Sequence, residues 1–144
     1  MPRIIRINHI GLAVNEAGPA EAFWQALVLP LHGSEPVPGD RVTASFLPIG
    51  ESRIELLEPL GAEGPVQKFL AQRGEGLHHL CLEVEDLGGL LEQLAAAGVE
   101  LVDRVPRPGA DGCRVAFIHP RAAHGVLIEL MERGPLAADT PARP

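Results

Sequence analysis

His9-Ile10-Gly11-Leu12-Ala13-Val14 is repeated in kind by His79-Leu80-Cys81-Leu82-Glu83-Val84, and Arg53-Ile54-Glu55-Leu56-Leu57 by Leu127-Ile128-Glu129-Leu130-Met131. The offsets between the paired stretches are 70 and 74 residues. Self-similarity at a nearly constant spacing marks a duplicated supersecondary unit, and it governs every later assignment. Two like modules therefore follow one another along the chain.

Each module reads as a strand, a helix and three further strands. In the first, Ile5 to Val14 alternates as a strand, Gly18-Pro19 precedes a helical stretch from Ala20 to Leu27, and Pro30 ends it. Strands are expected around Leu31–Val37, Val42–Ile49 and Arg53–Glu58, separated by the turn residues Pro38-Gly39-Asp40 and Gly50-Glu51-Ser52. In the second, Gly76–Val84 is a strand, Asp86 is a candidate cap for a helix over Leu87–Ala97, and Gly98 stops it. Strands near Leu101–Val105, Cys113–His119 and Val126–Met131 complete the repeat. Pro65 to Arg73 suits a short connecting helix. The expected organisation is α+β: a single domain over residues 1–132, with modules of about 4–60 and 75–132, a helical connector at 64–74 and a flexible tail over 133–144.

Parity along a strand decides which side chains can meet. His9, Gly11 and Ala13 share one face of the first strand, and the bulky Ile10, Leu12 and Val14 the other. The bulky set must meet the helices, so His9 stands on the opposite, inner surface. By the same rule His79, Cys81 and Glu83 point inward, which selects His79 over His78. Glu55 and Glu129 are each embedded in aliphatic sequence, where an uncompensated carboxylate would cost several kcal/mol. Two imidazoles and two carboxylates around one divalent cation would compensate both. A single histidine on a strand is more often structural than a ligand, and a single glutamate there can simply face water. Recurrence in register is what raises these four above that background.

Composition narrows the class. With 144 residues, 46% of them hydrophobic, the chain can bury a real core. Its formal charge of −7 argues against nucleic-acid binding through the overall field. No apolar run suits a membrane span, and Met1-Pro2-Arg3-Ile4-Ile5-Arg6 lacks the form of an export signal. A cytoplasmic protein is expected, with Cys81 and Cys113 kept as thiols.

The paired modules resemble the vicinal-oxygen-chelate superfamily. Ile7-Asn8-His9-Ile10-Gly11-Leu12-Ala13-Val14, Ser52-Arg53-Ile54-Glu55-Leu56-Leu57-Glu58-Pro59, Gly74-Glu75-Gly76-Leu77-His78-His79-Leu80, and Phe117-Ile118-His119-Pro120-Arg121 with Gly125-Val126-Leu127-Ile128-Glu129-Leu130 are similar to the signatures of its methylmalonyl-CoA epimerase family. The resemblance runs from about Ile4 to Glu132. It implies a glyoxalase-like fold, in which two βαβββ modules form a curved mixed sheet with a metal-lined cleft. It also implies His9, Glu55, His79 and Glu129 as ligands of one divalent ion (Co, Mn, Ni, Zn or Fe), an acyl-CoA substrate and a homodimer. The implied reaction removes the α-proton between a thioester and a carboxylate, giving a metal-stabilised enolate, with Glu129 as one base. Some members of the family carry a second glutamate where this chain has Ala44. The partner acid here is then Glu55 or a bound water.

Several residues keep two readings. His119 can orient a ligand or cap the turn at Pro120. Arg104, Arg107, Arg114 and Arg121 can meet CoA phosphates or lie on the surface, and Leu127 and Met131 can line a cleft or pack in the core. Glyoxalase I is the neighbouring enzymatic alternative, and a non-catalytic small-molecule-binding module of the same fold is the alternative outside catalysis.

Overall fold

The computed structural model describes residues 1–27, 29–109 and 112–134. Most of the expected tail lies outside them. The described residues form two compact units: His9–His78, and Met1–Asn8 together with those between His79 and Gly134. The first strand, β1 (Arg3–Ala13), contributes its second half to the former and its first half to the latter.

In the His9–His78 unit, β1 is followed by α1 (Ala17–Ala26), β2 (Gly33–Val37), β3 (Val42–Ile49), β4 (Ser52–Pro59) and α2 (Pro65–Arg73). The strands are ordered β2-β3-β4-β1. β1 runs parallel to β4, while β3 is antiparallel to both β2 and β4. One face buries Val14, Leu47, Ile54 and Leu56, with Ile10 and Leu12, beneath Ala20 and Trp24 of α1. On the other face Ala13, Val42, Ala44 and Leu57 pack against Val66, Phe69 and Leu70 of α2. The connector helix is thus a cover for part of the inner face.

The second unit repeats the plan with β5 (Gly76–Glu85), α3 (Leu87–Ala96), β6 (Arg107–Pro108), β7 (Arg114–Ile118) and β8 (Ile128–Glu132). Its order is β1-β5-β8-β7-β6, with β5 parallel to β8 and β7 antiparallel to β8. Val84, Ala116, Ile118 and Leu130 close over Leu87 and Leu91 of α3. Each fully buried leucine contributes about 1.5–3 kcal/mol relative to exposure. These are the bulky sets that parity assigned to the helices.

The duplication extends to how the helices begin. The first four N–H groups of a helix lack intrahelical acceptors. Glu58, at the end of β4, accepts from the Ala17 N–H at 2.7 Å, and Glu132, at the end of β8, accepts from the Leu87 N–H at 3.1 Å. The four residues recur at the offsets of 70 and 74 seen in the sequence. α3 has a second cap, because Asp86 also accepts from the Gly89 N–H at 3.1 Å. A β-carbon at Gly89 would stand 2.3 Å from an Asp86 carboxylate oxygen, so a side chain there would push the capping carboxylate aside.

One expected strand is absent. Over Leu101–Val105 the backbone makes only an isolated bridge, Leu101 to Ile118. Val102 and Asp103 both donate to the Phe117 carbonyl, and the Phe117 N–H is taken by the Asp103 side chain at 2.9 Å. Pro106 and Pro108 cannot donate to a ladder. The edge strand is consequently reduced to Arg107–Pro108. Among the described residues no helix is long and apolar enough to cross a membrane.

Candidate metal centre

Strand register sets the site in the His9–His78 unit. Gly11 of β1 stands opposite Glu55 of β4, and His9 opposite Arg53. On the other side of β4, Phe46 is opposite Glu55. These residues share the inner face with Ala13, away from the aliphatic layer under α1. His9 Nδ1 lies 3.2 Å from Glu55 Oε2, with side chains only 8% and 10% exposed. Gly11, lacking a side chain, leaves the carboxylate's β1 flank to His9.

The same Glu55 oxygen accepts from Arg53, whose Nε is at 2.7 Å and Nη2 at 2.6 Å. The guanidinium lies over the Phe46 ring, 5.3 Å from its centroid. Glu55 is thus held by an arginine as well as by a histidine. The sequence reading passed over Arg53, although its spacing of two residues from Glu55 on a strand puts both on one face.

The second unit builds its counterpart from β5 and β8. Cys81 is in register with Glu129, and Phe117 flanks Glu129 from β7. His79 Nε2 lies 3.3 Å from Glu129 Oε1, with side chains 10% and 15% exposed. Cys81 is fully buried and places its sulfur within 4.8 Å of a Glu129 oxygen, close enough to be a further donor. It belongs to this polar face and not to the aliphatic layer under α3. Of the adjacent histidines, His79 lies against Glu129, whereas the ring of His78 packs edge-on against Phe69, with centroids 5.2 Å apart.

Each histidine–carboxylate pair has the spacing of two ligands on one divalent ion. Two atoms bound at right angles to one cation at about 2.1 Å stand about 3.0 Å from each other. The histidine–carboxylate contacts of 3.2 and 3.3 Å are close to that spacing. Neutral imidazole and carboxylate are ligands that zinc, cobalt, nickel, iron and manganese accept.

The residues left with two readings are resolved in part. His119 caps its turn: its Nδ1 accepts from the Arg121 N–H at 3.1 Å. Arg121 pairs instead with Glu100, and this hydrogen bond holds the Glu100 carboxyl below its ordinary range. Arg107 pairs with Asp103 and lies over Phe117, while Arg114 pairs with Glu132. Arg104 is exposed. Leu127 and Met131 are half-buried beside Glu129 and stand outside the aliphatic core. Ala44 is 2% exposed and lies in the layer with Leu57 and Val66, so no acid occupies that position.

The family model for the Glyoxalase/Bleomycin resistance protein/Dioxygenase superfamily matches residues 8–117, and the chain belongs to this superfamily. It is 41% identical to the uncharacterized protein YqjC of Bacillus subtilis, covering 88% of this chain and 91% of that one. It is 35% identical to the mitochondrial methylmalonyl-CoA epimerase of Dictyostelium discoideum, covering 89% and 78%. Among solved structures, a Streptomyces coelicolor methylmalonyl-CoA epimerase variant in complex with 2-nitronate-propionyl-CoA superposes with a TM-score of 0.83 at 30% identity, covering 99% of this chain and 100% of that one. Within the superfamily the chain is a member of the methylmalonyl-CoA epimerase family, a family of isomerases.

Proposed function

We propose that this chain is a metal-dependent epimerase that interconverts the two methylmalonyl-CoA epimers by α-proton abstraction, with His9, Glu55, His79 and Glu129 holding one divalent ion. The observation that carries this reading is the histidine–carboxylate contact formed twice, once in each unit, by equivalent strands. A set of two imidazoles and two carboxylates suits Co, Mn, Ni, Zn or Fe and leaves positions for substrate oxygens. When bound, the ion supplies Lewis-acid stabilisation of the negative charge developing on the thioester and carboxylate oxygens.

The remaining work falls to the chain's own groups. Glu129, flanked by His79, Cys81 and Phe117, takes the α-proton from one face of the substrate carbon. A proton is returned to the other face from Glu55 or from a bound water, and the proton taken by Glu129 passes to solvent, so each turnover removes one proton and restores one. Phe46 and Phe117, beside the two carboxylates, limit the access of water to the exposed carbanionic carbon. The substrate is an acyl-CoA, the assembly a homodimer and the setting the cytoplasm.

The test is incubation of metal-reconstituted protein with one methylmalonyl-CoA epimer in deuterated water. The expected result is racemisation with incorporation of deuterium at the α-carbon. Absence of both, with turnover of the methylglyoxal–glutathione hemithioacetal, would replace this reading by a glyoxalase one.

A further inference from the structure

The two carboxylates differ in their neighbours. Glu55 Oε2 accepts from Nε of Arg53 at 2.7 Å, has Nη2 of the same guanidinium at 2.6 Å, and lies 3.2 Å from His9 Nδ1. Arg53 and Glu55 are 13% and 10% exposed, so their attraction is weakly screened by water. The guanidinium carbon stands over the Phe46 ring, 5.3 Å from its centroid. At the position equivalent to Arg53, offset by 74 residues, the second unit has Leu127. That side chain brings no charge to Glu129.

We propose that Arg53 is the built-in counter-cation of Glu55, neutralising it before metal arrives and competing with the ion for the same oxygen, so that it lowers the affinity of the metal site. The inference rests on the metal-binding reading above. Its sign follows from a balance of two effects. Removing the guanidinium gives up some fixation of the carboxylate, which weakens ion binding. It also leaves a buried charge uncompensated in the metal-free protein, which ion binding then relieves. The second effect is the larger, because stranding one partner of a buried pair is among the most destabilising single changes, whereas losing one positioning contact is modest. The arrangement keeps the unloaded protein folded at the expense of holding metal less tightly. Arg53 is on this account a positioning residue.

Calorimetric titration with Co(II), Mn(II) and Zn(II), alongside thermal unfolding with and without ion, tests the idea. Arg53→Met is expected to melt lower than wild type without metal, to recover when metal is added, and to bind the ion on the order of ten-fold more tightly. Arg53→Lys keeps the charge without the two-pronged fork. It is expected to retain most of the metal-free stability and the weaker affinity, and it decides the matter if the methionine variant does not fold. The mirror change, Leu127→Arg, is expected to weaken ion binding. Equal or weaker binding by Arg53→Met, with Arg53→Lys behaving like the methionine variant, would overturn the proposal while leaving the metal site intact. Failure of wild type to bind any of the three ions would overturn the metal-binding reading, and this inference with it.

Discussion

The two units solve the same problem with unequal means. Both bring a histidine from a first strand against a glutamate on the parallel fourth strand, and both satisfy the start of their helix with a carboxylate three residues further along that strand. Beside Glu55 the remaining positions are Gly11 and Arg53; beside Glu129 they are Cys81 and Leu127. What is repeated is the machinery for placing ligands. What differs is the electrostatic setting of each carboxylate: a guanidinium reaches Glu55, and a leucine stands at the equivalent position beside Glu129.

The largest expected effect tests that difference directly. Glu129→Gln keeps the size of the side chain but cannot accept the α-proton, and it should reduce the exchange rate in deuterated water by about 10²–10⁴-fold. Glu55→Gln should lose less, because a bound water can return the proton in its place. Equal losses in the two variants would remove the functional asymmetry between the units. Next in size are the cores. Leu56 and Leu130 are equivalent by the 74-residue offset and are 0% and 1% exposed. Substitution of either by alanine should cost about 2–5 kcal/mol in denaturant unfolding. A large inequality would mean that the aliphatic layers are less alike than their sequences.

Repetition is also why part of the site was legible and part was not. An alternating strand has only two faces, so the bulky residues at Ile10, Leu12, Leu80 and Leu82 were enough to send His9 and His79 to the other side. The recurrence of Glu55 and Glu129 then supplied the carboxylates. Arg53 escaped the same logic because its counterpart is Leu127: a search for what two modules share cannot find what one of them alone possesses. Cys81 was placed on the inner face but read only as a thiol kept reduced, since its counterpart is Gly11. The strand expected at Leu101–Val105 failed for a different reason. Its apolar residues satisfy the pattern, but Asp103 offers its side chain to the Phe117 N–H and two nearby prolines withhold donors, so side-chain chemistry displaced the ladder.

The helix starts give a smaller test of the same comparison. Glu58→Ala should destabilise by about 0.5–2 kcal/mol through the lost acceptor for Ala17. At α3 the Asp86 cap remains when Glu132 no longer accepts from Leu87, so the capping share of a Glu132 change should be less than that at Glu58. Gly89→Ala should remove the Asp86 cap by collision, and combining it with the Glu132 change should cost more than the two separately. Chemical denaturation of the single and double variants measures each of these quantities.

The smallest effect concerns a contact that only one unit has. Arg3, at the start of β1, makes a two-pronged bridge to Glu85, at the end of β5, with distances of 2.8 and 2.9 Å. Seventy residues on, Arg73 lies over the Phe69 ring instead, and the counterpart of Glu85 is Asn15, which has no carboxylate. The hydrogen bond from Arg3 lowers the Glu85 carboxyl below its ordinary value of 4.5. A carboxyl depressed in the folded state contributes stability that is complete above its unfolded value and lost as pH falls through the folded one. Both groups face water, so salt should weaken the bridge further. Wild type should therefore melt slightly above Arg3→Gln at neutral pH, and the gap should close as acid carries the pH below 4.5. A gap unchanged across that range would show that Arg3 acts by packing along β1, and the two units would then differ at this end in shape and not in charge.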